Sequence, residues 1–189
     1  MRWFAALALA LGLTGTAAAQ TGGRAEAVFA GGCFWCVESD FEHLEGVIEA
    51  ESGYTGGDRQ NPTYQNHEGH IEAVRVVYDP QRVSYAQLLH HFWRHHDPLD
   101  SGGQFCDRGA SYRSAIFVTA AQRAAAEASL AEAERVLGRD VATPIRPLGR
   151  FWRAETYHQD YYEKNPVQYR FYRWRCGRDQ RVREIWGDR

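Results

Sequence analysis

Two cysteines three residues apart, Cys33 and Cys36, stand in Gly31-Gly32-Cys33-Phe34-Trp35-Cys36. A short apolar run, Ala27-Val28-Phe29-Ala30, precedes them, and a segment with helical spacing follows. Cys33 is therefore expected at or near a helix N-terminus, reached through a glycine turn. Unpaired N–H groups and the positive end of the helix dipole favour a thiolate there. The aromatic pair Phe34 and Trp35 suits the wall of an apolar pocket. The chemistry to expect is attack by a cysteine nucleophile, although Cys-x-x-Cys at a helix start is also the spacing of thiol–disulfide exchange.

A thiol that attacks a group with a poor leaving atom needs an acid beside it. Glu72 fits, because it opens the strand face Glu72, Val74, Val76, Tyr78, which should point into the core. Burial raises a carboxyl's pKa, so such a residue can hold a proton near neutral pH. Tyr64 in Asn61-Pro62-Thr63-Tyr64 and Tyr112 in Ser111-Tyr112-Arg113-Ser114 are loop phenols able to reach a site, and Asp107 lies in a glycine-rich loop. The histidines at 90, 91, 95 and 96 do not share one helix face, and no thiol or carboxylate completes a set, so no metal site is expected. Cys176 lies among Arg170, Arg173, Arg175, Arg178, Arg181 and Arg183, whose charge favours its thiolate.

The elements that must position these groups follow from periodicity. A strand at 26–30 runs through the glycine turn into a helix carrying Phe34, Val37, Phe41 and Leu44 on one face. Strands are expected at 47–54 and 71–78, with a long Gly/Asn/Pro-rich loop at 55–69 between them. Ser84 caps a helix through Trp93, a second loop spans 99–111, and a buried strand follows at 115–118. An alanine-rich helix at 120–137 ends at Gly138. Edge strands are expected at 143–145 and 150–152 and a short helix at 158–164, with an irregular tail from about 167 to 189. The order predicts a single α+β domain, a two-layer sandwich or plait with helices packed on a mixed sheet.

The N-terminus places one positive charge, Arg2, before an apolar stretch, with Ala17-Ala18-Ala19 next. That is the pattern of a secretory signal cleaved after about Ala19, with export to the periplasm or beyond. Cleavage leaves 170 of the 189 residues, enough for one core, and takes the formal charge from −2 to −3. That charge favours neither nucleic acid nor an anionic membrane surface as partner. No large apolar stripe is left unassigned, so a monomer is expected.

The motifs together resemble the A-type peptide methionine sulfoxide reductases. They are Gly32-Cys33-Phe34-Trp35, Gly53-Tyr54-Thr55-Gly56-Gly57, Asn61-Pro62-Thr63-Tyr64, Gly69-His70-Ile71-Glu72-Ala73-Val74, His96-Asp97-Pro98, Tyr112-Arg113-Ser114-Ala115-Ile116, and His158-Gln159 with Lys164-Asn165-Pro166. Seven in family order cover most of the chain. The resemblance implies reduction of methionine S-sulfoxide, free or in peptides, without a resident cofactor. It implies that Cys33 attacks the sulfoxide sulfur and that Glu72 protonates the oxygen with help from Tyr64 and Tyr112. Phe34 and Trp35 then enclose the methyl group, and Asp107 completes the site. Methionine leaves, and a Cys33 sulfenic acid remains, to be recycled through a disulfide by a thioredoxin-type dithiol.

Three positions depart from the family pattern. Cys36 stands where many members have glycine, Cys106 stands where others carry a polar residue, and the tail offers one cysteine at an unusual spacing. The resolving cysteine is therefore expected in the order Cys176, Cys36, Cys106. Two other readings compete: a thiol–disulfide oxidoreductase using Cys33 and Cys36, which needs no acid at Glu72, and a secreted domain with two structural disulfides.

Overall fold

In the computed structural model, residues 23–187 are described; the expected signal segment lies outside them. The chain forms β1 (Ala25–Ala30), α1 (Phe34–Glu42), β2 (Val47–Thr55), β3 (Ile71–Tyr78) and α2 (Tyr85–Trp93). A two-residue hairpin, β4 (Gly103–Gln104) and β5 (Asp107–Arg108), and a 3-10 turn at Ala110–Tyr112 lead to β6 (Ala115–Val118). After these come α3 (Arg123–Leu137), β7 (Ile145–Pro147), β8 (Trp152–Arg153), α4 (Tyr161–Lys164), α5 (Pro166–Arg175) and α6 (Arg178–Trp186).

Six strands form one sheet in the order β7-β6-β1-β3-β2-β8. Neighbours are antiparallel except β6 and β7, which run parallel and are joined by α3. The sheet is mixed, as expected, and the two strands expected at edges are its edges. Strand alternation sorts the core into two faces. Ala27, Phe29, Val74, Val76, Tyr78, Ile116 and Val118 meet the apolar sides of α1, α2, α3 and α6. Val28, Ala30, Ile71, Ala73, Ala115 and Phe117 are covered on the other face by Leu148 and Phe151 of a loop. Helices on one face of a sheet make the two-layer α+β fold.

Local signals explain the ends of the elements. Ser84 makes a full capping box with Gln87 at the start of α2. Gly138 ends α3 in the left-handed conformation. The long loop after β2 is closed by His70, whose Nδ1 accepts from the Gly57 N–H at 3.3 Å while Nε2 bonds the Arg59 carbonyl at 2.9 Å.

The tail corrects the sequence reading. Residues 167–189 were expected to be irregular, yet α5 and α6 occupy most of that stretch, hinged at Gly177 in the left-handed conformation. The pair is pinned under the start of α1 by a buried guanidinium. Arg178, at the first position of α6, donates from Nη2 to the carbonyls of Gly31 (3.1 Å) and His95 (2.7 Å). Its Nε lies 3.6 Å from Asp40 of α1, and Arg173 of α5 reaches the same carboxylate at 2.7 Å. Among the described residues, no helix is long and apolar enough to cross a membrane.

Candidate active site

Antiparallel pairing places Phe29 of β1 opposite Val74 of β3, so the end of β1 lies beside the start of β3. The chain leaves β1 through Gly31-Gly32 and enters α1 at Cys33. Gly32 has φ +88, and a Cβ there would lie 2.5 Å from the Cβ of Gln104, so only glycine lets β4 pack against this turn. Cys33 is the N-cap residue, and its side chain makes no capping hydrogen bond. Its sulfur is left free for a small cavity.

That cavity has a volume of about 110 Å³ and is lined by Cys33, Phe34, Trp35, Tyr64, Glu72, Asp107, Tyr112 and Tyr172. Seven of these eight are residues singled out from the sequence. Segments far apart in the chain supply them: the start of α1, the loop after β2, the start of β3, the β4–β5 hairpin, the 3-10 turn and α5. A larger groove of about 550 Å³ lies among His70, Asp100, Arg113, Ser114 and Arg146, and no cysteine lines it.

Glu72 is 1 % exposed. Burial pushes its carboxyl up to about 8; the Phe34 N–H opposes this, and the charges of Asp107 and Cys36 add to it. The Phe34 N–H donates to Glu72 Oε2 at 3.0 Å. One of the orphan donors of the helix start therefore holds the acid in place rather than the thiol. Near neutral pH this carboxyl carries a proton that it can give away.

The thiols behave differently from the sequence expectation. Cys33 is pushed well above the ordinary thiol range by burial, then by its hydrogen bond to Cys36 and by the charges of Cys36 and Glu72; the Tyr172 hydroxyl pulls it down. Cys36 is lowered, first by the hydrogen bond from Cys33 and then, against burial, by Arg178 and Arg173. A helix start alone would favour the Cys33 thiolate, but dry walls and a nearby carboxyl outweigh it.

The phenols remain protonated donors. Tyr64 and Tyr112 hydrogen-bond one another, and burial raises both, with the Glu72 charge adding to the effect. Tyr172 was missed from sequence because its segment was read as irregular. Its hydroxyl bonds both Asp107 and Cys33. The Trp35 indole donates to His158 Nδ1 at 3.0 Å and stacks on Tyr161 at 3.7 Å, so its ring is fixed from two sides.

Cys106 and Cys176 are joined by a disulfide, and Cys33 and Cys36 are free thiols. Cys106 precedes Asp107 at the tip of the β4–β5 hairpin, and Cys176 lies one turn beyond Tyr172. The bond therefore ties together the two segments that supply the Asp107–Tyr172 contact.

The carboxylates and histidines whose types suit a metal are engaged with protein partners. Oxygens of Glu38, Glu42 and Asp160 lie within 4.8 Å of one another. Glu38 accepts from Ser52 Oγ and the Asp160 N–H, Glu42 from Tyr162, and Asp160 from Lys164. His91 and His95 stack on each other at 3.8 Å.

A buried thiol pair, a carboxyl protonated near neutrality, phenol donors and an aromatic cage define a thiol-dependent oxidoreductase that must protonate the group its cysteine attacks. The chain matches the family described as "Peptide methionine sulfoxide reductase" over residues 25–189. It is 51% identical over 189 residues to "Peptide methionine sulfoxide reductase MsrA 2" of Caulobacter vibrioides, covering 97% of this chain and 96% of that protein. It is similar to the solved structure of Mxr1 from Saccharomyces cerevisiae in reduced form, at 29% identity and a TM-score of 0.71, over 76% of this chain and 86% of that one. The yeast protein in complex with Trx2 shares the fold at 23% identity and a TM-score of 0.54, over 73% of this chain and 84% of that one. The chain belongs to the A-type peptide methionine sulfoxide reductases and is a peptide-methionine (S)-S-oxide reductase.

Proposed function

We propose that in this chain Cys33 takes the oxygen of methionine S-sulfoxide, free or in proteins, while Glu72 supplies the proton. The observation that carries the reading is the shared cavity of Cys33 and Glu72. There burial holds the carboxyl near 8 and aromatic rings leave room for a methyl group. Sulfoxide oxygen is a poor leaving atom until protonated. Cys33 gives its thiol proton to the Cys36 sulfur it hydrogen-bonds and attacks the sulfoxide sulfur as Glu72 protonates the oxygen, with Tyr64 and Tyr112 donating to it and Phe34 and Trp35 around the methyl. The hydroxyl then passes from the substrate sulfur to Cys33 Sγ as the bond between the two sulfurs breaks, so methionine departs with its sulfur reduced and Cys33 is left as a sulfenic acid. No cofactor or metal is needed for these steps.

Recycling begins with Cys36, which already hydrogen-bonds Cys33 and carries the lower pKa. Its thiolate attacks the sulfenic sulfur, water leaves, and a Cys33–Cys36 disulfide forms. Cys106 and Cys176, as thiols, then pass two electrons inward and become the disulfide seen here. Cys176, first in order from sequence, thus acts in the second pair rather than as the first resolver. A thioredoxin-type dithiol restores the outer pair; the yeast relative's complex with Trx2 supports that choice of donor. Export to the periplasm rests on the Arg2-to-Ala19 pattern, and N-terminal sequencing of the mature protein should begin at Gln20.

The test is turnover of the two methionine sulfoxide epimers with dithiothreitol, for wild type and Glu72→Gln. The S epimer should be consumed selectively, and the variant should lose about 10²–10⁴-fold in rate. Unchanged turnover in the variant removes Glu72 as the acid.

A further inference from the structure

The outer side of α5 is apolar. Val167, Phe171 and Trp174, spaced i, i+4, i+7, are 67%, 58% and 75% exposed, and the last two rings lie 6.0 Å apart. The inner side of the same helix carries Tyr169, Tyr172 and Arg173, which are engaged with the body of the protein. A surface helix normally shows the reverse arrangement. Beside Trp174, a groove of about 340 Å³ runs between α5 and α6, lined by Arg170, Gly177, Gln180, Arg183 and the Arg173–Asp179 ion pair. The turn that follows Trp174 carries Cys176, and Cys106, its disulfide partner, is exposed.

We propose that this stripe is the docking surface for the protein dithiol that reduces Cys106–Cys176, a partner whose reactive thiols sit in an apolar patch with an acidic rim. The inference rests on the recycling described above. Two observations select this occupant. The stripe borders the one disulfide found among the described residues, and a protein reductant must bury the exchange site to bring sulfur against sulfur. Charge supplies the second: of the six arginines in residues 166–186, Arg173, Arg178 and Arg181 pair with Asp40 and Asp97 of the body, which leaves Arg170, Arg175 and Arg183 exposed in a chain whose net charge is −2. Arg170 and Arg175, flanking the stripe, form no ion pair with described residues. A second copy of this chain docking by two-fold symmetry would set this arginine-bearing patch against itself, which is repulsive. An acidic partner is attracted, and its encounter is faster at low salt.

The exchange balances. The partner's thiolate attacks exposed Cys106 Sγ, the bond to Cys176 breaks, and Cys176 leaves as a thiolate. The partner's second thiol then displaces Cys106 and completes the partner's own disulfide. Its two protons end on Cys106 and Cys176.

The test compares full-length wild type with Phe171→Ala/Trp174→Ala and with Arg170→Glu/Arg175→Glu. Each is driven by a purified thioredoxin and, separately, by dithiothreitol. Both variants should raise the KM for thioredoxin at least about tenfold while dithiothreitol-driven turnover is unchanged. Salt should raise the wild-type KM and affect the charge variant less. Unchanged thioredoxin kinetics in both variants, with wild type active, overturns the docking surface and leaves the donor reading intact. A parallel loss with both reductants also overturns it, as does a wild-type dimer that Trp174→Ala dissociates. Failure of thioredoxin to support wild type while dithiothreitol does so overturns the donor reading, and this surface with it.

Discussion

Glu72→Gln separates two consequences of burying one carboxyl. In the folded protein Glu72 titrates at about 8, against 4.5 for an ordinary glutamate. Between those values the folded state keeps a proton that the unfolded chain has released. Folding stability therefore falls as pH rises, at about 1.4 kcal/mol per unit from this group alone. Below 4.5 both states are protonated and the penalty vanishes; above 8 both are ionised and it stands at its full size. Glutamine matches the shape, can accept from the Phe34 N–H and does not titrate. The stability of Glu72→Gln relative to wild type should thus improve by about 2–3 kcal/mol between pH 5.5 and 7.5. Urea unfolding of both proteins with Cys106–Cys176 kept oxidised measures it, and other titrating groups largely cancel in the difference. Turnover should move the opposite way. A stability difference that does not change with pH would refute the buried, proton-holding acid.

Three further perturbations test the surroundings of the site. Tyr172→Phe removes the hydroxyl shared by Asp107 and Cys33, and should lower kcat about tenfold with little change in KM for the sulfoxide. Arg178→Met leaves the buried Asp40 carboxylate with Arg173 as its remaining cation. It should destabilise the fold by about 3–5 kcal/mol in thermal or urea unfolding and raise the Cys36 pKa in an alkylation-rate profile. Cys106→Ser opens a loop with a sequence separation of 70, and the unfolding free energy of the oxidised protein should fall by about 4 kcal/mol. Dithiothreitol-driven turnover by that variant should persist, because Cys33 and Cys36 remain.

Much of the site was legible because its signals are local. Alternation along β3 put Glu72 on the face of Val74 and Val76, and the glycine turn before Cys33 announced a helix start. Loop positions marked Tyr64, Asp107 and Tyr112 only as groups able to reach a site, and the family resemblance supplied their roles. The tail was not legible, for a physical reason. The inner sides of α5 and α6 are anchored by Tyr169, Tyr172, Arg173 and Arg178 rather than by aliphatic residues, while the apolar residues of α5 face outward. A hydrophobic period read from such a segment points the wrong way, so the helix carrying Tyr172 into the site went unseen. The ionisation of Cys33 was out of reach as well, since a helix start is visible in sequence but the dry walls and the Glu72 charge arise from tertiary packing.

The central claim is that Cys33 accepts the sulfoxide oxygen. It is tested most directly in a single turnover of Cys36→Ser/Cys106→Ser/Cys176→Ser with heavy-oxygen-labelled methionine S-sulfoxide, read by peptide mass spectrometry. The account predicts one equivalent of methionine and the heavy oxygen on the Cys33 peptide as a sulfenic acid. Methionine released with no label on Cys33, or label carried by another residue, would contradict it.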